Sequence, residues 1–352
     1  MLQNMAKIAG LYAISAHSYA EIIFKPYGTL DYGYFYSYSD AGENHDFKSG
    51  MASTSQLGMN FKYKLNEDIS IIGKLESGVN LKEAEFIRDT LFNRQENIGI
   101  ESERFGKLLY GRQHIALAGL ADDPFLGVTA FSPLVMVAAS SSGLGTGSTS
   151  LDYRASKSWS YRTPRLNNFK TKIIYTSNMG VGKKGPNVKN FGVLSTYDNK
   201  IHKVGFSYNE LINNKTSILN KEVYHDVKTK LYNTVYGYKP NDNLRFSFNY
   251  YYLKPDSPDA VSAKIYGFGV FYNKPKYILR TSIFHRDVKE HQLSATAFAI
   301  GAEYHLTPNL DTYIRAGYVR NNENSKFTVN GTPVLGYGDD PYSIGYGFRF
   351  RF

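Results

Sequence analysis

Over the last eleven residues, YSIGYGFRFRF, Tyr342, Ile344, Tyr346, Phe348, Phe350 and Phe352 occupy one parity, and Ser343, Gly345, Gly347, Arg349 and Arg351 the other. A β-strand turns alternate residues to opposite faces, so this stretch predicts a strand with one aromatic and one polar face. Such a strand fits a soluble sandwich, where the apolar face meets a core, or a wall between lipid and water.

The same alternation returns along the chain. Ile22, Phe24, Leu30, Tyr32, Tyr34 and Tyr36 alternate with Lys25, Thr29, Asp31 and Ser37, and Leu57, Met59, Phe61, Tyr63 and Leu65 alternate with Gln56, Asn60, Lys62 and Lys64. Counting less regular segments, about sixteen strands are expected. Their connections sort into two kinds. Short ones rich in Pro, Asn and Asp fall at 66–68, 103–104, 164–168, 198–199, 239–243, 273–275 and 307–309. Long polar ones fall between them, at Asp40 to Ser53, Asn80 to Thr90, Asn178 to Lys189, Asn213 to Asp226, Pro255 to Ala263, Asp287 to Ser294 and Asn321 to Pro341. Tight turns at one rim and long loops at the other describe an all-β, transmembrane antiparallel β-barrel; a sandwich has no reason to sort its connections so.

Composition supports strands over helices as the spanning element. Mean hydropathy is negative, as it would be in a soluble protein, but a barrel is apolar only on alternate residues. With 30 Tyr and 22 Phe against one Trp, the aromatic excess suits strands and interfacial girdles. No run of eighteen or so apolar residues marks a transmembrane helix. The formal charge of +10 is spread singly along the chain with no long basic run, so no nucleic acid partner is expected. Cysteine is absent, and the eight His lack metal-ligand spacing, so no metal site and no cofactor are expected. The glycine-rich GLGTGSTS, 143–150, lacks the Lys of a phosphate loop, and no Ser, His and acid arrangement stands out; an enzyme is not expected.

Two segments depart from the pattern. At the start, Lys7, an apolar run from Ile8 to Ser15 and Ser18-Tyr19-Ala20 match a secretory signal peptide over 1–20, with a disordered or mis-started N-terminus as the other reading. In the interior, some forty residues separate LLYGRQ, 108–113, from SWSYRTP, 158–164, and include the apolar FLGVTAFSPLVMVAA, 125–139. A connection that long and that apolar needs a surface to pack on, and the inside of a wide barrel offers one.

STSQLGMNFKYKL, FNRQENIGIESERFGKLLYGRQ, YRASKSWSYRTP and the terminal Phe resemble, in order and spacing, the trimeric general diffusion porins of the Gram-negative outer membrane, over about Glu21 to Phe352. The resemblance implies a barrel over 21–352 whose third loop, 115–155, folds into the lumen and constricts it. The basic wall of that constriction would comprise Arg94 and Arg154, with Arg112 where the loop leaves the wall, unless Arg112 faces a subunit interface. Asp122 and Asp123 would be the acidic residues of the loop. Lys62, Lys74, Lys170, Lys172, Arg280 and Arg315 share the polar parity of their strands and would extend the basic lining. Gln56 stands where the family commonly has another arginine, and Asn97 where an outward apolar residue is usual. The resemblance further implies a homotrimer among outer-membrane lipids, latched by Asn80 to Thr90, with Phe352 as the signal read by the barrel assembly machinery.

The expected function is passive diffusion of ions and small hydrophilic solutes through a water-filled pore. Anions are expected to be preferred, because cations outnumber carboxylates on the inward parity. A substrate-specific sugar or peptide porin, and a barrel acting mainly as a surface adhesin, are the alternatives.

Overall fold

The computed structural model describes residues 22–352 apart from 88–90, 118–121, 127–128, 139–153, 178–187, 214–215, 219–220, 224–225, 258–259, 289 and 330. The expected leader, the glycine-rich 143–150 and most of 178–189 lie outside the described residues.

The strands in chain order are β1 (Ile22–Ser39), β2 (Gly42–Ser49), β3 (Gln56–Lys64), β4 (Ile69–Asn80), β5 (Glu85–Phe86), β6 (Gln95–Ser102), β7 (Gly106–His114), β8 (Arg154–Arg162), β9 (Phe169–Thr176) and β10 (Val188–Asp198). Then follow β11 (His202–Asn213), β12 (Thr216–Ile218), β13 (Lys221–Val223), β14 (Val227–Tyr238), β15 (Leu244–Asp256), β16 (Ala263–Asn273), β17 (Tyr277–Asp287), β18 (Ala295–His305), β19 (Leu310–Asn321) and β20 (Tyr342–Arg351). Among the described residues of the long connection between β7 and β8, one α-helix, α1 (Pro133–Ala138), is present. Eighteen strands belong to one sheet, and β12 with β13 forms a separate hairpin. With β5 a two-residue flap on β4, and β2 and β3 sharing one place beside β1, the wall has sixteen positions.

Every pairing is antiparallel, and β20 closes the ring on β1 from Thr29↔Arg351 to Tyr38↔Tyr342. Closure gives each strand of the ring hydrogen-bond partners on both sides, while β2 pairs with β1 alone among the described strands. Alternation then decides the faces. Ile98, Ile300, Ile314, Tyr346 and Phe348 are about half exposed on the outside, while Ser37, Asn233, Arg315 and Ser343 are buried inside. The seven short connections are tight turns at one rim, with the longer ones at the other.

One expected loop is corrected. Most of Asp40 to Ser53 is strand: after a turn at residues 40 and 41, β2 runs back along β1 from Ser39↔Gly42 to Tyr32↔Ser49. Its sequence, GENHDFKS, has Phe47 as its one large apolar residue, so no alternation announces it; pairing with β1 supplies its backbone bonds. Residues 50–55 then leave the wall and turn inward before β3 resumes at Thr29↔Gln56. Asp31, fully buried, pins this excursion: its carboxylate accepts from the N–H groups of Ala52 and Ser53 at 3.2 and 3.0 Å and from the Tyr313 hydroxyl at 2.8 Å. Met51 and Ala52 are thereby buried inside the barrel.

Candidate functional site

The apolar connection after β7 does enter the lumen. Phe125, Phe131, Leu134 and Val137 are fully buried there, each worth about 1.5–3 kcal/mol of removed apolar surface. They lie on the inner wall of β16 to β20 and β1. The Phe131 ring stands 5.8 Å from Phe35. A Cβ on Gly345 would come within 2.7 Å of Phe131, and one on Gly269 within 2.5 Å of Pro124, so glycines on the wall admit the loop. In α1, Ser132 just before the helix accepts from the N–H of Val135 at 3.2 Å, an N-terminal cap.

The loop's acids are held by the same side of the barrel. Asp122 pairs with Arg245 of β15, with Lys203 Nζ of β11 3.8 Å away, while Asn249 brackets its backbone at 3.1 and 3.2 Å. Asp123 accepts from the Phe125 N–H and the Ser282 hydroxyl, both at 3.0 Å, and from Ser132. Both carboxylates thus sit on the inward loop, turned toward the wall it packs on. Beneath them Glu303 binds Arg280 at 2.9 Å, Arg349 at 2.7 Å and Arg315, while Asp311 takes Arg349 at 2.8 Å and Arg351 at 2.7 Å. Arg280 and Arg315 face inward, as their parity predicts, but are buried in this network. Phe125 stacks on both guanidinium groups, 5.9 and 5.3 Å from ring centre to carbon.

The opposite wall, β3 to β9, keeps its cations nearer the open lumen. Lys62 and Lys107 share Glu101, at 3.1 and 2.8 Å. Lys74 and Arg94 share Glu76, at 3.2 and 2.9 Å. Arg154 opens β8 in register with His114, and Arg94, Arg154 and Lys172 all lie near enough to His114 to act on it electrostatically. Gln56 pairs with Gly78, against which the Ile87 and Arg94 side chains lie. Lys170 is half-buried, and Lys172 is buried with its ammonium on the His114 carbonyl.

Arg112, expected at the lumen wall or at a subunit interface, lies on the side of Leu108 and Tyr110, is 7% exposed, and donates to the Asn93 carbonyl at 2.6 Å and Ser156 Oγ at 2.9 Å. One expected placement is corrected. Asn97 is not outward: Ile98 and Ile100 occupy that face, and Asn97, paired with Lys74, donates to the Arg112 carbonyl at 3.0 Å. Sequence reasoning missed Glu76, Glu101 and Glu303, which neutralise named cations, and Arg245, which neutralises Asp122. Their parity was readable once their strands were assigned. Of the expected latch, Asn80 to Thr90, the described part folds back on β4 through β5 and exposes Phe86 and Ile87.

At the extracellular-type rim the long connection 322–341 is tied down by Asp40, whose carboxylate accepts from the N–H of Leu335 at 2.7 Å and of Gly336. The Leu335 N–H, opposed by desolvation and reinforced by the Gly336 N–H, holds this carboxyl below the ordinary aspartate range.

The sequence profile of the Gram-negative porin family matches residues 8–324. An outer membrane porin protein of Bordetella pertussis is 29% identical over 129 residues, 32% of this chain and 34% of that protein, so the match spans about a third of that relative. Among solved structures, the anion-selective porin from Comamonas acidovorans superposes with a TM-score of 0.80 at 17% identity, covering 94% of this chain and all of that one. OmpT of Vibrio cholerae, in a trimer form, gives 0.67 at 15% identity over 94% of this chain and 99% of its own. OmpF of Salmonella typhi in complex with daunomycin gives 0.61 at 14%, over 94% and 97%. At these identities the likeness speaks to the fold.

Proposed function

The chain belongs to the Gram-negative porin family and to the bacterial outer membrane, and on that premise we propose that it forms a water-filled pore passing ions and small hydrophilic solutes by diffusion, with a preference for anions. The family and fold are those of channels. The observation that carries the selectivity is the asymmetry of the lumen: Asp122 is bound by Arg245 and Lys203 on the loop's own side, while Lys62, Lys74, Lys107 and Arg94 share two carboxylates on the other. In a passage walled by low dielectric such an excess of fixed positive charge raises the local anion concentration. The porin from Comamonas acidovorans, an anion-selective one, supports the same reading.

In this account the connection 115–155 is the constriction, with Arg94 and Arg154 on its basic side. The functional unit is a homotrimer, as the trimer form of OmpT suggests, and the outward Glu96 and Arg112, directly paired across β6 and β7, belong to the face another subunit covers. Residues 80–90 latch the neighbour, residues 1–20 are a secretion leader, and Phe352, bonded through its backbone to Gly28 at 3.0 and 3.2 Å, closes the strand read during assembly. Single-channel recording in planar bilayers tests the reading. Conductance should rise in proportion to KCl concentration; a closed barrel, or saturable block by one sugar or peptide, would sink it.

A further inference from the structure

On the periplasmic half of the basic wall, Lys25, Lys62, Lys74, Lys107 and Arg162 surround a cavity of about 470 Å³. Asn60, Gln95 and Asn97 also line it, and among the described residues no carboxylate does. We infer that this cavity is a binding site for a small solute carrying two or more phosphate groups.

The strand register brings the cations together. Lys107 stands directly opposite Arg162, and Arg162 opposite Lys172, on one face of β7, β8 and β9. Like charges so placed destabilise a sheet, and nothing acidic separates them. Glu101 lies on the far side of Lys107, already shared with Lys62. Lys74 is engaged by Glu76. The side chains of Lys25 and Arg162 have no hydrogen bond or ion pair among the described residues. They are the groups an arriving anion would satisfy.

The occupant follows from charge and size. Five cations spread round one cavity are poorly matched by a chloride ion, whereas a chain of phosphates reaches several at once. The three amides offer donors and acceptors for orientation, the mixture of few polar groups and fixed charges expected of a built site. Below it, a second cavity of about 400 Å³ shares Lys62, Lys107 and Arg162 and adds Lys64, Arg165 and Lys170, but Glu67, Asp68, Glu101 and Glu103 stand among them. Those interspersed carboxylates favour the upper cavity as the seat.

This inference deepens the reading of the lumen as an anion pathway and rests on it only for access, so binding is measured apart from conduction. Inorganic triphosphate is titrated calorimetrically at low salt into the folded full-length protein in detergent. The expected result is saturable binding, one per chain, weakened roughly tenfold or more by Lys25→Gln with Arg162→Gln. Lys200→Gln with Lys276→Gln removes the same charge from rim turns and should leave binding within about twofold. Arg162→Gln alone should show part of the loss, and it stands in if the double variant does not fold. Absence of saturable binding, or equal weakening by both pairs, overturns the site. If triphosphate binds but no bilayer current is ever seen, the diffusion reading fails and the site stands.

Discussion

Asp122, at the head of the inward loop, is ion-paired with Arg245 on the wall the loop lies against, not with the arginines across the lumen. The pair both anchors the loop and removes a negative charge from the passage. Asp122→Asn should therefore shift the zero-current potential further toward anions and make the loop more mobile, seen as noisier open-channel current. An unchanged potential would mean that this carboxylate does not act on permeating ions.

Arg94 and Arg154 are expected to dominate the basic side of the constriction. Changing both to Gln should move the zero-current potential toward cations, more at 0.1 M than at 1 M KCl, because the screening length falls from about 10 Å to about 3 Å. Glu76→Gln should do the reverse by releasing Lys74 and Arg94. If the double arginine change leaves selectivity untouched, the narrowest charged point lies elsewhere.

Phe131 fills the junction between the loop, Phe35 and the bare Cα of Gly345. Phe131→Ala should cost about 3–5 kcal/mol of loop packing while leaving the wall strands intact. A larger, fluctuating conductance and unchanged barrel resistance to heat are the expected signs; an unaltered current would show that the loop is held by its polar contacts alone.

The Asp40 carboxylate is held below its ordinary range, so its grip on residues 335 and 336 is complete above about pH 4 and weakens as pH falls through the depressed value. Proteolysis or hydrogen exchange in 322–341 should accelerate only in strong acid for the native chain. In Asp40→Asn it should be raised already at neutral pH. Equal protection in both at pH 7 would assign the loop's order to its buried Phe327 and Val329 instead.

The fold was legible because period-two alternation and sorted connections are local properties. β20 reads directly from YSIGYGFRFRF, and the inward loop from the misfit of FLGVTAFSPLVMVAA with free solvation. What failed was local ambiguity. In β2, with Phe47 its one large apolar residue, only pairing to β1 defines a strand. At Asn97 one residue of parity reverses the face, and Gly111, at φ +127° with a register shift beside it, disturbs the alternation next to Arg112. The site was half legible for a different reason. Parity finds which charges point inward, but Asp122 with Arg245, or Glu303 with Arg280, Arg315 and Arg349, are meetings between segments more than ten residues apart, set by where the loop lands.

The most direct test of the account is the zero-current potential of the purified native protein across a bilayer separating dilute from concentrated KCl. An anion-preferring pore predicts the sign set by chloride, strongest at the lowest salt; a potential of the sign set by potassium would contradict it.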